Sequence, residues 1–232
     1  MKKKLELPDV TLLAATSVEI NETQLSLRIS AQNIKFGNIK FLSSSEPKKK
    51  YPDIQYITIP HMKISDYSRL IIKDLYKYFE TSHCLVIQSD SFVVNSELWK
   101  NDFLKYDYIG APWPNEIKIN SNLVLDMKKN PVGNGGFSLR SRKLVETTAK
   151  INFKSLNFPM KAEDVVICYY LYQEMINNGI RFAPPKLAAQ FSMENVENLY
   201  GQNKNSVFGF HGKHMRNFFV KRYKLRSVIG EW

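Results

Sequence analysis

This sequence has little cysteine and no long apolar run. It also has fewer acidic than basic residues. Only Cys84 and Cys168 occur in 232 residues, and both lie in apolar runs. We therefore expect reduced core thiols in a cytoplasmic protein and no disulfide framework. No apolar run reaches the ~20 residues of a membrane-spanning helix, and the basic start lacks the apolar stretch of a signal peptide. The composition, 44% apolar and 24% charged, is typical of a soluble globular domain.

Several common catalytic and binding motifs are also absent. The sequence has no P-loop, no Gly-x-Gly-x-x-Gly after a predicted strand and no Gly-x-Ser-x-Gly elbow. Its four histidines and two cysteines show neither zinc-finger spacing nor a His-Glu-x-x-His motif. These absences argue against P-loop nucleotide hydrolases, dinucleotide-binding enzymes, α/β-hydrolases and the common zinc proteins.

The net charge is +11, from 33 Lys and Arg against 22 Asp and Glu. A basic protein first suggests nucleic acid, an anionic membrane surface or a phosphorylated small molecule as partner. The excess lies in residues 2–4, in residues 48–50, and after Gly201, where seven basic residues face only Glu231. Because the charge is terminal and few aromatic residues interleave with it, nucleic acid is the least favoured partner.

The strands and helices predicted in the first ninety residues follow one another in the order typical of α/β proteins. We predict strands at 10–15, 39–42, 54–59 and 84–87, with a turn at 36–38. A Thr16–Glu19 capping box predicts a helix to about residue 33, and Ser65 or Asp66 begins another that extends through Phe79. This order favours a mostly parallel sheet flanked by helices.

The second half of the chain is less regular. We predict a short helix at 96–104, a mobile polar segment at 115–130 and a strand at 137–140. A helix at 163–178 should end at Gly179, and a strand at 180–183 should follow.

Two polar motifs adjoin predicted strands. Gln88-Ser89-Asp90 follows the strand at 84–87, where ligands bind in open α/β sheets, and an Asp there can hold a divalent cation that bridges phosphates. A polar turn is the plainer interpretation. Gly133, Gly135 and Gly136 precede the strand at 137–140 and would let the backbone approach a ligand, although a simple loop explains them equally well.

Two further motifs carry titratable groups. Glu163-Asp164 opens a helix, where acids commonly complement the helix dipole, and could also act as a general base. His211 lies among Phe208, Gly209, Phe210 and Gly212 and could bind a metal or phosphate, although a packed histidine is the commoner case.

Taken in order, these motifs resemble the GT-A glycosyltransferase fold, and more closely a bacterial and viral family of GT-A-like domains grouped mainly as a domain of unknown function. The resemblance spans roughly residues 10–212. The matching blocks are Leu85-Val86-Ile87-Gln88-Ser89-Asp90-Ser91-Phe92, Tyr106-Asp107-Tyr108-Ile109-Gly110-Ala111-Pro112-Trp113, Gly133-Asn134-Gly135-Gly136-Phe137-Ser138-Leu139-Arg140-Ser141, Glu163-Asp164-Val165 and Phe208-Gly209-Phe210-His211-Gly212.

The resemblance implies a role for each motif. Asp90 would match the last Asp of Asp-x-Asp and bind Mn²⁺ or Mg²⁺ with the donor diphosphate, and His211 would be the second metal ligand. Gln88 replaces the first Asp, which removes one carboxylate and puts metal use in doubt. The remaining implied donor-site residues are Thr16, Ser17, Ser89, Gly135 and Gly136. Asp164, or less favourably Glu163, would be the general base.

The resemblance also implies a nucleotide-sugar-dependent glycosyltransferase that acts on a glycan or lipid-linked acceptor, as in surface-polysaccharide synthesis. The alternative is an inactive glycan- or nucleotide-binding module. We predict one α/β, GT-A-like domain at 1–212, with a nucleotide-binding half at 9–92 and an acceptor-side half at 93–212. The basic amphipathic segment 213–232 would either pack on the domain or contact an anionic membrane surface.

Overall fold

A computed structural model describes residues 3–194 and 199–222, and a six-stranded sheet lies at its centre. The strands of these residues are β1 (Leu5–Thr16), β2 (Ile34–Ser43), β3 (Gln55–Thr58), β4 (His83–Ile87), β5 (Ser91–Val93), β6 (Tyr108–Ile109), β7 (Glu116–Asn120), β8 (Leu123–Asp126), β9 (Phe137–Ser141), β10 (Ser192–Met193) and β11 (Gly209–His211). The helices are α1 (Ile20–Ala31), α2 (Ile64–Arg69), α3 (Arg142–Thr148), α4 (Glu163–Val165), α5 (Tyr172–Asn177), α6 (Pro185–Phe191) and α7 (Lys213–Arg222).

The central sheet has the order β3-β2-β1-β4-β9-β6. The first four strands are parallel, whereas β9 runs antiparallel to both β4 and β6. Ala14 of β1 pairs with Ile87 of β4, and Ile87 also pairs with Phe137, the first residue of β9. The segments that follow β1 and β4 and the segment that precedes β9 therefore meet at one edge of the sheet. The mostly parallel α/β architecture predicted from the sequence is confirmed.

Both faces of the sheet are covered, as the apolar central residues of β1 and β4 predict. Leu12 and Leu85 face a core that includes Leu27 of α1. Leu13 and Val86 point to the opposite face and pack in a second core. That second core also contains Ile71, Leu75, Phe79 and Val145. Because successive side chains of a strand point to opposite faces, α1 packs on one face of the sheet and the α2 and α3 segments pack on the other.

A smaller sheet, with the order β10-β11-β5, carries the late part of the chain back to the main sheet. His211 of β11 pairs with Ser91 of β5, directly after Asp90. Residues separated by more than a hundred positions in sequence are therefore neighbours beside the end of β4.

Several predicted boundaries are wrong. No turn interrupts residues 36–38, because β2 is continuous from Ile34 to Ser43. Thr16 and Glu19 form no capping box: Glu19 precedes α1 without a side-chain cap, and the Thr16 hydroxyl bonds to the backbone of Val18. The segment 115–130 contains the β7–β8 hairpin.

The remaining differences are smaller. α2 begins at Ile64, and the Asp66 carboxylate caps it by accepting the Lys63 N–H at 3.0 Å. The helix predicted at 163–178 is divided by a π turn at Val166–Tyr170, and Gly179 follows it with a φ of 72°. Residues 96–104 form 3₁₀ turns. Residues 180–183 make a single bridge, between Phe182 and Tyr108.

The described part of the basic C-terminal segment packs on the domain. Met215 and Phe219 of α7 are buried beside Phe92 and Phe210. The apolar side of α7 is therefore covered by the protein, and nothing here supports the predicted contact with a membrane surface. Residues 223–232 of that segment lie outside the described residues. Among the described helices, none combines the length and the apolar character needed to cross a membrane.

Candidate active site

A cleft of about 370 Å³ opens at the edge of the sheet where β1 and β4 end. Ligands of open α/β sheets bind at this edge. The residues that line the cleft are Ala15, Thr16, Ser17, Val18, Glu19, Thr23, Met62, Lys63, Ile64, Tyr67, Gln88, Ser89, Asp90 and Lys213. The predicted donor-site residues Thr16, Ser17, Gln88, Ser89 and Asp90 are thus brought together.

The cleft has an apolar mouth. Val18 and Ile64, which come from two segments distant in sequence, both line the cleft and are 65% and 86% exposed. The hydroxyls of Thr16 and Ser17 are used to hold these segments: Thr16 bonds to the backbone of Val18, and Ser17 Oγ accepts the Met62 N–H at 2.8 Å. These two hydroxyls shape the cleft wall.

His211 lies beside the motif that follows β4. Its Nε2 is 3.3 Å from Asp90 Oδ1 and 3.2 Å from Gln88 Oε1. Gln88 in turn donates to the hydroxyl of Tyr67 at 3.1 Å, and the Gly212 N–H donates to the backbone oxygen of Asp90. The two residues expected to bind a metal, Asp90 and His211, are therefore in contact.

The other nitrogen of His211 faces a residue that the sequence did not reveal. Nδ1 lies 3.3 Å from Glu194 Oε1 and 3.2 Å from Nδ2 of the buried Asn134. Burial lowers the pKa of His211, but Asp90 and Glu194 outweigh it and raise the pKa to about 10. Burial raises the pKa of Asp90, and His211 outweighs this effect, so the pKa of Asp90 is lowered.

The separations around His211 Nε2 are compatible with a divalent cation, which would have to replace the proton on that nitrogen. Two ligands at right angles on a metal with ~2.1 Å bonds lie ~3 Å apart, close to the 3.2 and 3.3 Å separations here. A carboxylate on the second nitrogen of a metal-binding histidine is the usual arrangement, and Glu194 supplies it. No described group of three His, Cys, Asp or Glu residues could hold a metal, so the set needs the amide oxygen of Gln88 as third donor.

Gly135 and Gly136 leave room for the side chains of Glu163 and His211, because neither glycine has a Cβ. A Cβ on Gly135 would lie 1.7 Å from Glu163 Oε1, and a Cβ on Gly136 would lie 2.2 Å from the ring of His211. Both contacts are far below the van der Waals limit. The side chains of Glu163 and His211 thus occupy the space beside these glycines where a ligand was expected.

Glu163 and Asp164 occupy different environments although they are adjacent. Glu163 is buried and accepts a 2.7 Å hydrogen bond from Arg140, while burial raises its pKa to about 7 and Arg140 opposes the rise. Asp164 is half-buried, and its two oxygens accept the N–H groups of Gly135 at 2.9 Å and Val165 at 2.8 Å. Only Asp164 combines a fixed carboxylate with partial exposure, so the structure gives no support to Glu163 as a base.

The dipeptide Gly135-Gly136 joins the two groups. Its first residue binds Asp164, its second packs on His211, and its carbonyl at Gly136 accepts the Ser91 hydroxyl at 2.7 Å. Asp164 and His211 therefore lie about one glycine dipeptide, and of these residues and their contacts only Asp90 and Gln88 line the 370 Å³ cleft.

Three more charged residues line the cleft: Glu19, Lys63 and Lys213. Lys213 Nζ donates to Glu19 Oε1 at 3.2 Å, and Ser89 Oγ donates to Glu19 Oε2. Neither Glu19 nor Lys213 stands out in the sequence as part of a site, because the loops that bring them together lie at opposite ends of the chain.

Comparison with known protein families identifies the family of this chain. Residues 53–211 match a family described as "Protein of unknown function (DUF5672)". The chain belongs to this family. The match includes every block of the predicted pattern from Gln88 to His211, and leaves out Thr16 and Ser17. No curated protein matches the sequence.

Solved structures resemble the chain at low sequence identity. The apo-form glycosyltransferase GlyE of Streptococcus pneumoniae TIGR4 has 10% identity and a TM-score of 0.53, over 95% of this chain and 60% of GlyE. A glycosyltransferase involved in the glycosylation of the major capsid of PBCV-1 has 13% identity and a TM-score of 0.48, over 92% of this chain and 98% of the other. The galactosyltransferase LgtC, complexed with donor and acceptor sugar analogs, has 14% identity and a TM-score of 0.48, over 92% and 95%.

The likeness to GlyE shows the fold, and the predicted GT-A-like α/β architecture is confirmed. The chain spans three fifths of the length of GlyE.

Proposed function

We propose that this protein is a glycosyltransferase that moves a sugar from a nucleotide-sugar donor to a hydroxyl acceptor. The observation that supports it best is the placement of two groups about one glycine dipeptide. Asp164 is held by Gly135, and His211, in contact with Asp90, packs on Gly136. A carboxylate base and an anion- or cation-binding group on adjoining positions are what transfer from a diphosphate leaving group needs.

The cleft suits the nucleotide part of the donor. Val18, Met62 and Ile64 offer apolar surface to a flat base, while Ser89 and Asp90 lie deeper, beside the ends of β1 and β4. Binding pockets typically combine such apolar walls with a few placed polar groups. The diphosphate would then lie near Asp90 and Lys213, and the sugar near Asp164.

Gln88, Asp90 and His211 would hold a divalent cation on the diphosphate. Such a cation supplies positive charge that stabilises the leaving nucleoside diphosphate. A set with one carboxylate, one amide oxygen and one imidazole favours a transition metal over Mg²⁺, because imidazole nitrogen suits such ions better, so we expect Mn²⁺. Lys213, at the start of α7, adds charge of the same sign on the cleft wall.

Asp164 would take the proton of the acceptor hydroxyl. As the hydroxyl oxygen bonds to the anomeric carbon, the bond from that carbon to the diphosphate oxygen breaks and the proton passes to a carboxylate oxygen of Asp164. The N–H groups of Gly135 and Val165 hold the carboxylate in place. In a retaining reaction the same contacts would only orient the acceptor, which we expect to be a glycan or a lipid-linked sugar.

A donor panel tests the proposal. The full chain would be incubated with Mn²⁺ and UDP-, GDP- or dTDP-sugars, and release of nucleoside diphosphate would be measured. We expect one donor class to turn over and Asp90→Asn to lower turnover about 100-fold or more. Asp126→Asn, which changes an exposed hairpin carboxylate, is the matched control.

The outcomes separate the alternatives. If no nucleotide sugar binds, the proposal fails. Tight binding without turnover on many acceptors would instead favour the binding module, in which Gln88 has replaced a catalytic carboxylate. Full turnover by Asp90→Asn would remove Asp90 from the mechanism.

A further inference from the structure

Glu19 connects two other segments that line the proposed donor cleft. It accepts hydrogen bonds from two separate segments, Ser89 after β4 and Lys213 at the start of α7, the latter at 3.2 Å. The Ser89 hydrogen bond lowers the pKa of Glu19, burial opposes this, and Lys213 lowers it further. The carboxylate is thus ionised at neutral pH.

The groups that contact this carboxylate can bind an anion, although Asp90 and Glu22 line the same cavity. α1, of 12 residues, begins directly after Glu19, and α7, of 10 residues, begins at Lys213. The first N–H groups of a helix lack partners within the helix, and its N-terminus carries partial positive charge. A lysine ammonium and a serine hydroxyl therefore contact one carboxylate group, and α1 and α7 begin at or next to the residues of this bridge.

The bridge lies where two cavities meet. A second cavity of about 170 Å³ shares Glu19, Ser89, Asp90 and Lys213 with the larger cleft, and is completed by Glu22, Arg216 and Asn217. Because the Glu19–Lys213 contact forms part of the wall common to both, its opening would join the two spaces. The polar end of the cleft would then have room for a larger anion.

The Glu19 side chain can leave this position at little cost. Its side chain is 43% exposed, so it can turn into solvent. Its backbone is left-handed, with φ 49° and ψ 44°, and its side chain makes no cap to α1. Release of the carboxylate would thus cost its two contacts and no capping hydrogen bond.

We propose that the Glu19 carboxylate occupies the place of a donor phosphate, and that diphosphate binding displaces it from Ser89 and Lys213. This inference rests on the proposed donor site, and it makes Glu19 a residue that opposes binding of any anion too weak to replace it. Phosphate oxygens would take over the hydrogen bonds of Ser89 Oγ and Lys213 Nζ.

Pyrophosphate binding to the full chain tests the exchange. Isothermal titration calorimetry would compare the wild type with Glu19→Gln, Glu19→Asp and Glu22→Gln. Loss of the competing charge in Glu19→Gln should tighten pyrophosphate binding about fivefold or more. Glu19→Asp keeps the charge but is too short to reach both partners, and should tighten binding by a smaller factor.

Glu22→Gln is the matched control, because it removes the same charge from the same cavity without a contact to Ser89 or Lys213. It should change the affinity less than about twofold, since an exposed charge is screened. Equal gains in Glu22→Gln and Glu19→Gln, a loss in Glu19→Gln, or no pyrophosphate binding in any variant would overturn the inference.

This experiment is independent of sugar transfer. A chain that transfers no sugar but gains pyrophosphate affinity in Glu19→Gln refutes the proposed function alone. A chain that transfers sugar with unchanged affinity in that variant refutes this inference alone.

Discussion

Arg140 donates a hydrogen bond to Glu163 across 2.7 Å, and the two side chains are only 1% and 5% exposed. The pair lies directly under the loop that carries Gly135, and Glu163 immediately precedes Asp164. A buried ion pair is costly to break from one side, because the remaining charge has neither water nor a partner. Arg140 and Glu163 thus fix the position of the proposed base.

Arg140→Met should extend the pH dependence of stability, which the wild type shows between about pH 5 and pH 7, to higher pH. Burial raises the pKa of Glu163 from 4.5 to about 7 while Arg140 opposes it. In the wild type the folded chain therefore holds more protons at Glu163 than the unfolded chain between these values, and the contribution to stability falls as pH rises. Without Arg140 the window extends to higher pH, with a slope of up to ~1.4 kcal/mol per pH unit.

Urea unfolding between pH 5 and pH 8 measures that slope. Adding Glu163→Gln to Arg140→Met should remove the extra pH dependence, because the titrating group is gone. A slope above pH 7 that is the same in Arg140→Met as in the wild type would show that Arg140 does not lower the pKa of Glu163.

Gly136→Ala should impair the site more than the fold. The added methyl would overlap the ring of His211 and force it away from Asp90 and Gln88, so Mn²⁺ binding should weaken; because this ring is 20% exposed, the melting temperature should fall less than in Gly135→Ala. Gly135→Ala would overlap the buried Glu163 carboxylate and should cost ~1–3 kcal/mol of unfolding free energy. Thermal melting and Mn²⁺ titration of both variants check this contrast, which equal destabilisation would contradict.

Glu194→Ala should weaken Mn²⁺ binding about 10- to 100-fold, as expected for loss of a carboxylate that orients a histidine ligand. Glu194→Gln keeps an oxygen that can accept from His211 Nδ1 and should recover part of the affinity. Electron paramagnetic resonance of free Mn²⁺ provides the measurement, and the exposed Glu174→Ala serves as control. Equal affinity in all three variants would show that His211 needs no support from Glu194.

Asp164→Asn should lower turnover about 10²- to 10⁴-fold and leave donor affinity within about twofold, as expected for loss of a general base. The amide oxygen can still accept one of the N–H groups of Gly135 and Val165, so the loop should keep its position. Turnover numbers and nucleotide dissociation constants would be measured together. A parallel loss of donor affinity would mean that Asp164 holds the donor and does not act on the acceptor.

The central strands could be predicted because residues 10–15 and 84–87 are apolar on both faces, the pattern of a buried parallel sheet. The failure at Gly37 has a steric cause. A Cβ there would lie 2.1 Å from the backbone oxygen of Pro8, so this glycine serves the close approach of two strands and not a turn. The β7–β8 hairpin did carry a signal, the alternation of Ile117, Ile119, Leu123 and Leu125, which the polar residues between them obscured.

The motifs that would form the site could be predicted in part, but their supporting residues could not. Asp90, His211 and Asp164 lie in blocks with a recognisable order. Glu194 and Glu19 lie in ordinary polar segments, and only the meeting of distant loops gives them partners. Arg140 lies in an apolar strand, where nothing local indicates that a carboxylate 23 residues later will neutralise it.

Contacts across the site join residues that are far apart in the sequence and are therefore synthesised at different times. His211 is 123 positions from Gln88, and Lys213 is 194 positions from Glu19. A nascent chain that has already completed β1 and β4 therefore still lacks one wall of its site, and a fragment released before residue 211 carries Asp90 without its partner. A chain that stops before residue 211 should therefore fail to bind a nucleotide sugar at the proposed site, because it lacks His211 beside Asp90 and Gln88.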